Sequence, residues 1–243
     1  MVFLRSLAFN TIFFLWTFLV AFVGSVVLWC LPREVLVGWL AFWAQSVLFL
    51  LRAITNIRLE VRGQECFSGK GPVVIACKHQ SAWDTFIFHV LAEDPAYIMK
   101  NALFHIPFYG WSARLVGMIG VDRDGGRRSL RQVLRKARRA LEDGRTVIIF
   151  PEGTRTKPGT NKEYLPGTFA LYKHVAGSAP VIPAALDSGY SWGRRTFLRR
   201  PGTITIQLLP AIPVGLTYQE FQSTLKERIE TACQLLAREK NHD

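Results

Sequence analysis

The sequence has 243 residues, with 30 Lys and Arg against 18 Asp and Glu, which gives a formal net charge of +12. A hydrophobic fraction of 49% and a charged fraction of 20% exclude an intrinsically disordered chain, and the length fits one domain with an appendage. The four cysteines include no close pair, which excludes a disulfide framework and a zinc ribbon.

The first 51 residues are apolar and aromatic, and their only charged side chains are Arg5, Arg33 and Glu34. Two uncharged runs, 7–31 and 35–51, lie on either side of a turn predicted at Pro32, because proline is a poor residue for continuing a helix. A helix that crosses a bilayer needs about 20 apolar residues. The pattern therefore predicts an N-terminal helical hairpin over residues 1–51 that anchors the protein in a membrane, either by spanning it or by dipping into one leaflet.

Two other interpretations of this segment are a cleaved signal peptide and a hairpin buried in a protein core. The first run is too long for a signal peptide, and no clear small-residue cleavage site precedes the second run. A core hairpin with so many Phe and Trp side chains needs a larger partner surface than the rest of the chain offers. Arg52, Arg58 and Arg62 follow the second run and favour the cytoplasmic face of the inner or plasma membrane for the remaining domain.

Residues 52–243 carry 28 basic and 17 acidic side chains, and short β-branched runs alternate with helical patterns along them. This alternation predicts an α/β domain with a largely parallel central sheet flanked by helices. The clearest helices are predicted at 127–142 and 218–239, where apolar residues fall on one face. The predicted strands are 57–61, 73–77, 96–99, 118–121, 146–150, 181–186 and 203–209.

Ionisable residues follow four of these strands, and ligands of open α/β sheets bind beyond the carboxyl ends of strands. We therefore expect one shared site at that edge of the sheet. The candidate residues are His79 and Asp84 after the second strand, Lys100 after the third, Asp122 and Arg123 after the fourth, and Glu152 to Arg155 after the fifth.

His79 and Asp84 lie five residues apart across a predicted strand-to-helix turn. Asp84 has a structural interpretation, in which it completes a capping box that begins at Ser81. It also has a functional one, in which it accepts the Nδ1 proton of His79 and leaves Nε2 to act as a general base. The sequence has no Cys/His cluster with metal spacing, and such a dyad suggests direct activation of a substrate hydroxyl.

Lys100, Arg123 and Arg155 are cations at three strand ends, and they form either a solvated basic edge or an anion pocket. Arginine favours the second interpretation, because its guanidinium can donate two parallel hydrogen bonds to phosphate. Glu152 is expected to hold Arg123 or Arg155 in place. Gly153 is expected to permit close approach of a ligand to the backbone.

These residues, in this order, resemble the 1-acyl-sn-glycerol-3-phosphate acyltransferase family within the glycerophospholipid acyltransferase group. The resemblance covers 73–186 and departs from the common family pattern at Lys78, where Asn is usual, and at Thr156, where Ser is usual. The matching motifs are His-x4-Asp at 79–84, a Gly-to-Asp-Arg stretch at 117–123, Phe-Pro-Glu-Gly-Thr-Arg at 150–155, an apolar strand with proline at 181–183, and Lys100 followed by Pro-x-x-Gly at 107–110.

The resemblance implies transfer of an acyl chain from acyl-CoA or acyl carrier protein to the sn-2 hydroxyl of 1-acyl-glycerol-3-phosphate, a lysophospholipid of the membrane. His79 would be the general base and Asp84 its orienting partner. The residues implied to bind the substrate phosphate are Arg123, Glu152, Gly153, Thr154 and Arg155, with Lys100 as a further candidate. We expect no metal, no cofactor and no nucleic-acid partner.

Three alternatives stay open at this point. One is an acyltransferase for another lysolipid, such as a lyso-ornithine lipid, since the motifs do not separate acceptors. Another is a thioester hydrolase, in which the same histidine activates water. The third is a membrane-tethered binder of anionic lipid or nucleic acid, suggested by the basic residues of 127–139 and 194–200.

Overall fold

The computed structural model describes residues 1–26, 31–67, 69 and 71–240. The helices are α1 (Val2–Val26), α2 (Arg33–Leu50), α3 (Phe88–Leu91), α4 (Tyr109–Leu115), α5 (Gly126–Glu142), α6 (Pro166–His174), α7 (Ser188–Ser191) and α8 (Tyr218–Lys240). The strands are β1 (Ile57–Arg62), β2 (Val74–Cys77), β3 (Pro95–Lys100), β4 (Ile119–Val121), β5 (Thr146–Ile149), β6 (Val181–Leu186) and β7 (Gly202–Leu208).

The seven strands form one sheet in the order β1-β7-β6-β2-β5-β3-β4. Every neighbouring pair is parallel except β6 and β7, so β1 and β7 run opposite to the other five strands. The prediction of an α/β fold with a largely parallel sheet is confirmed. Because β2, β3, β4 and β5 share one direction, their carboxyl ends meet at one edge, as the site prediction requires.

Alternation along the central strands divides the core into two layers, one on each side of the sheet. In β2, Ile75 and Cys77 pack with the N-terminal helices, whereas Val74 and Ala76 pack with α5, α6 and α8. All six residues of β6 are buried, as expected for a central strand covered on both faces.

The two long sheet-packing helices follow their predicted apolar faces. Helix α5 buries Val133, Ala137 and Leu141, and it begins and ends within one residue of its predicted limits. Helix α8 buries the five residues predicted to face the sheet, which are Phe221, Leu225, Ile229, Ala232 and Leu236.

Helices α1 and α2 lie along the domain, and only one side of the pair is buried. Phe9, Ala44 and Val47 belong to the same core as Ile75 of the sheet, while Phe14 is 66% exposed and Phe49 is 70% exposed. Both helices are long and apolar enough to cross a membrane. The segment is therefore neither detached from the domain nor wholly buried in it.

The ends of this hairpin differ slightly from the prediction. Arg33 begins α2 instead of lying in the turn, and residues 27–30, near the end of the first uncharged run, lie outside the described residues. Helical structure continues beyond residue 51 through a π-helical turn, Leu51–Thr55, and ends at Asn56, whose φ of 55° is left-handed. Arg33 joins the hairpin to the domain, because its guanidinium donates two hydrogen bonds of 2.7 Å to Asp94.

Candidate active site

The His79 and Asp84 side chains meet directly beyond the carboxyl end of β2. His79 Nδ1 lies 3.0 Å from Asp84 Oδ2, and both residues are buried. The loop between them folds back into a 3₁₀ turn, Trp83–Thr85, which returns Asp84 toward the strand end. Within the described part of the chain, His79 Nε2 makes no hydrogen bond, so this nitrogen is the one left for a substrate.

Asp84 makes contacts that belong to both of the interpretations that the sequence left open. Its Oδ2 accepts hydrogen bonds from the backbone N–H groups of Gln80 (2.6 Å) and Ser81 (2.8 Å), while Ser81 Oγ accepts one from the Trp83 N–H. The Ser81–Asp84 bond is one half of the predicted capping box, whereas the 3₁₀ turn itself begins after Ala82, and among the described residues no side-chain hydrogen bond caps it there. The same Oδ2 contacts the imidazole, so the two backbone hydrogen bonds fix the atom that faces His79.

The segment that follows β5 holds the backbone of His79 from both sides. Glu152 Oε2 accepts the His79 N–H at 2.9 Å, and the Thr156 N–H donates to the His79 carbonyl at 2.8 Å. The ring of Phe150 stacks on the imidazole with centroids 4.0 Å apart. Two motifs that are about 70 residues apart in sequence thus form a single structure around one histidine.

Glu152 does not occupy the place predicted for it. Its carboxylate is fully buried, and it contacts Lys78 Nζ at 2.8 Å, Thr156 Oγ1 at 2.7 Å and the His79 N–H. The expectation that it holds Arg123 or Arg155 and helps to bind the phosphate is therefore wrong. A buried carboxylate whose oxygens already contact protein donors is not placed to bind a phosphate, which is itself an anion.

Lys78 is an unusual side chain for this location, because it is only 1% exposed. Its ammonium contacts Glu152 and Glu230 Oε1 (2.6 Å), and it donates to the Thr160 carbonyl at 3.2 Å. Burial lowers the pKa of Lys78, but the two carboxylates outweigh that effect and hold the pKa above its ordinary value.

The three predicted cations lie along the same edge of the sheet. Lys100 ends β3 in register with Val121, two residues before Arg123, and both cations are exposed. Arg123 Nη2 donates to the Gly153 carbonyl, which ties the end of β4 to the loop after β5. Arg155 is half-buried, and its carbonyl accepts a hydrogen bond of 2.8 Å from Arg194.

Gly153 is required by the geometry of this loop. Its φ is +64°, and a Cβ at this position would lie 2.3 Å from Leu165 Cδ1 and 3.0 Å from Arg123 Nη2. A larger residue would separate Arg123 from the loop. Thr154 follows it and is half-buried beside Arg155.

A family profile described as Acyltransferase matches residues 58–187, which include the dyad, the cations and the loop around Gly153. The chain belongs to the acyltransferase family. A 1-acyl-sn-glycerol-3-phosphate acyltransferase from Pseudomonas aeruginosa is 36% identical over 170 residues, which are 70% of this chain and 65% of that protein. The alpha enzyme of the same name from Mus musculus is 32% identical over 177 residues, or 70% of this chain and 61% of that one.

The fold of the present chain matches that of a solved structure. The 1-acyl-sn-glycerophosphate (LPA) acyltransferase PlsC from Thermotoga maritima superposes with a TM-score of 0.77 at 20% identity and covers 98% of both chains. The present chain spans about two thirds or less of the length of the curated relatives named above.

Two residues missed by the sequence analysis, Ser188 and Gly189, contact the loop between His79 and Asp84. Ser188 Oγ donates to Asp84 Oδ1 at 2.6 Å, and Gln80 Oε1 accepts the Gly189 N–H at 3.0 Å. Ser188 begins α7 two residues after the last residue of β6, so its position just beyond a strand end is a signal present in the sequence. The Lys78–Glu230 contact has no local signal, because the two residues are 152 positions apart.

Proposed function

We propose that this acyltransferase moves an acyl chain from a thioester to the sn-2 hydroxyl of 1-acyl-glycerol-3-phosphate. The observation that supports it is the buried His79–Asp84 pair at the sheet edge that also bears Lys100, Arg123 and Arg155. A base beside several cations suits a hydroxyl substrate that carries a phosphate. The names of the Pseudomonas aeruginosa and Mus musculus relatives support the same acceptor.

In the proposed reaction, His79 Nε2 takes the proton of the acceptor hydroxyl as its oxygen attacks the thioester carbonyl carbon. Asp84 stabilises the imidazolium that forms, since its carboxylate lies 3.0 Å from Nδ1. The tetrahedral intermediate then breaks its C–S bond, and the proton on His79 passes to the leaving thiolate. The products are phosphatidate and a free thiol.

Arg123 and Arg155 are proposed to bind the acceptor phosphate, with Lys100 adding positive charge. Arg123 is already held by the Gly153 carbonyl, which leaves other N–H groups of its guanidinium to donate to phosphate. The donor is proposed to be acyl-CoA or acyl carrier protein, both of which are anionic and suit this basic edge.

The hairpin is proposed to bury its outer face in the membrane that supplies the lipid. Its exposed apolar side chains continue onto the domain at Trp111 and Phe197. Because the inner face packs on the domain along both helices, this arrangement favours insertion into one leaflet over a span that leaves the domain. Exposed Arg52 and Arg58 follow the hairpin and support a location on the cytoplasmic face.

The decisive experiment replaces the proposed base. His79→Ala should lower kcat by about 10²–10⁴-fold, which is the usual contribution of general-base catalysis. The matched control is His105→Ala, because His105 is exposed and ends the 3₁₀ turn Asn101–His105. A folded His79→Ala protein with near-normal turnover would refute the mechanism.

A substrate panel tests the acceptor and the donor. The purified wild-type protein is given 1-acyl-glycerol-3-phosphate, a lyso-ornithine lipid or no acceptor, each with acyl-CoA and with acyl carrier protein. We expect acyl transfer to depend on the phosphate-bearing acceptor. Equal thioester cleavage without an acceptor would instead identify a hydrolase.

A further inference from the structure

We infer that α8 positions the catalytic histidine through Glu230 and Lys78, so that both are positioning residues for the reaction. Glu230 and Lys78 have no contact with the imidazole ring in the described structure, and their effect passes through Glu152. The kinetic part of this inference rests on the proposed function. Its structural part does not.

The contacts form an unbroken series from α8 to the backbone of His79. Glu230 Oε1 lies 2.6 Å from Lys78 Nζ, and Lys78 Nζ lies 2.8 Å from Glu152 Oε1. The other oxygen of Glu152 accepts the His79 N–H at 2.9 Å. Tyr164 donates to the same Glu230 oxygen at 3.0 Å and fixes its position.

The Lys78 ammonium has a partner for each of its N–H groups only while Glu230 is charged and in place. An ammonium has three N–H donors, and three acceptors surround this one: Glu152, Glu230 and the Thr160 carbonyl. Loss of one carboxylate leaves a buried cation under-compensated, which is a costly state in a protein interior. We expect Lys78 and Glu152 then to rearrange, and the His79 N–H to lose its acceptor.

The two ends of this series of contacts lie on either side of the limit of the family profile. The family profile matches residues 58–187, so Glu230 lies outside it. Lys78 stands where Asn is common in the family that the sequence resembles. A buried Lys needs carboxylates to compensate its charge, and Glu230 on α8 is one of the two beside Lys78.

The test compares the same substitution at two sites on α8. Glu230→Gln keeps the shape of the side chain and removes its charge. Glu239→Gln is the control, because Glu239 pairs with Arg62 at the surface, 2.8 Å away, and has no part in the site. We expect Glu230→Gln to lower kcat about tenfold or more, since a small misplacement of a catalytic group slows the reaction strongly. The KM values for the acyl acceptor and the acyl donor should stay within about twofold of those of the wild type. Glu239→Gln should match the wild type.

Hydrogen exchange of the peptide around residues 76–84 supplies a readout that needs no activity. The His79 amide should exchange at least about tenfold faster in Glu230→Gln than in Glu239→Gln, at a temperature where both proteins are fully folded. If Glu230→Gln does not fold, Tyr164→Phe replaces it, because this change removes only the hydroxyl that fixes Glu230. A smaller loss of kcat, about threefold, with the same change in exchange, is then expected.

Unchanged exchange and a kcat equal to that of the control would overturn the inference. A higher KM with unchanged kcat would also overturn it, because that result places Glu230 in substrate binding. An inactive wild-type protein is a different failure: it contradicts the proposed function, and the exchange comparison alone then decides whether α8 positions His79.

Discussion

Asp84 accepts four hydrogen bonds with two oxygens, and only one of its donors is His79, the proposed base. Asp84→Asn separates the structural contacts from the charge. The Asn carbonyl can still accept the backbone N–H groups, and its amide can donate to Ser188 Oγ, so we expect little change in the midpoint of thermal unfolding. Turnover should fall by about 10²–10⁴-fold, because the imidazolium loses its anion. Turnover and the midpoint of thermal unfolding are measured on the same variant. If turnover falls only in proportion to stability, Asp84 is purely structural.

Arg155 is the residue on which the phosphate assignment is most easily tested. Hydrogen bonds to charged groups contribute about 1.5–3 kcal/mol each, and 1.4 kcal/mol corresponds to a tenfold change in binding. Arg155→Ala should therefore lower kcat/KM for 1-acyl-glycerol-3-phosphate by about ten- to a hundredfold. Arg155→Lys should restore part of this loss, since lysine cannot donate two parallel bonds.

The matched control for this measurement is Arg128→Ala, a cation on the exposed face of α5. A second control is the slow hydrolysis of the acyl donor without acceptor, which needs His79 but no phosphate. If Arg155→Ala lowers hydrolysis as much as transfer, the residue belongs to the donor site or to the fold.

At the scale of the element, the hairpin has two faces with different tasks. The inner face completes the core, while the outer face exposes Phe14, Phe18 and Phe49. Burial of a large apolar side chain contributes about 1.5–3 kcal/mol. The triple variant Phe14→Gln, Phe18→Gln and Phe49→Gln should therefore weaken partitioning onto lipid vesicles at least about a hundredfold without unfolding the domain.

Salt distinguishes this apolar attachment from attachment by the basic surface. Vesicle binding by the wild-type protein should survive 1 M salt, at which the Debye length is only about 3 Å. The double variant Arg128→Gln and Arg131→Gln should bind almost as the wild type does. Release of the wild-type protein by salt would show that basic residues, not the hairpin, hold it on the membrane.

At the scale of the whole molecule, His89 makes stability depend on pH. Burial lowers the pKa of His89 to about 4, although nearby Asp94 opposes the effect, from an ordinary value of 6.5. The folded protein thus keeps His89 neutral while the unfolded chain takes up a proton below pH 6.5. Stability from this residue is fully present above pH 6.5 and is lost as the pH falls to about 4, by up to about 3 kcal/mol.

Urea unfolding at pH 7 and at pH 4.5 measures this loss. His89→Gln should show a smaller fall in unfolding free energy between the two pH values than the wild type. The control His105→Gln should keep the wild-type difference, because His105 is exposed. An identical difference in all three proteins would show that His89 is protonated, or accessible, in the folded state.

The fold and the dyad were predictable because their signals are local. Short β-branched runs indicated the seven strands, and apolar residues at helical spacing indicated α5 and α8 with their buried faces. The spacing from His79 to Asp84 sufficed for the same reason, because a strand end and the following turn bring them together. The uncharged hairpin, Gly153 and the cations at strand ends are likewise local features of the sequence.

Tertiary structure alone decided which charged groups meet. The sequence predicts that Glu152 holds Arg123 or Arg155, but its buried carboxylate instead contacts Lys78 and the backbone of His79. Glu230 reaches the same place from the C-terminal helix. Local sequence determines helices, strands and their buried faces, whereas the partners of a buried charge depend on the packing of distant elements, because each buried charge must be paired by whatever group that packing brings within reach.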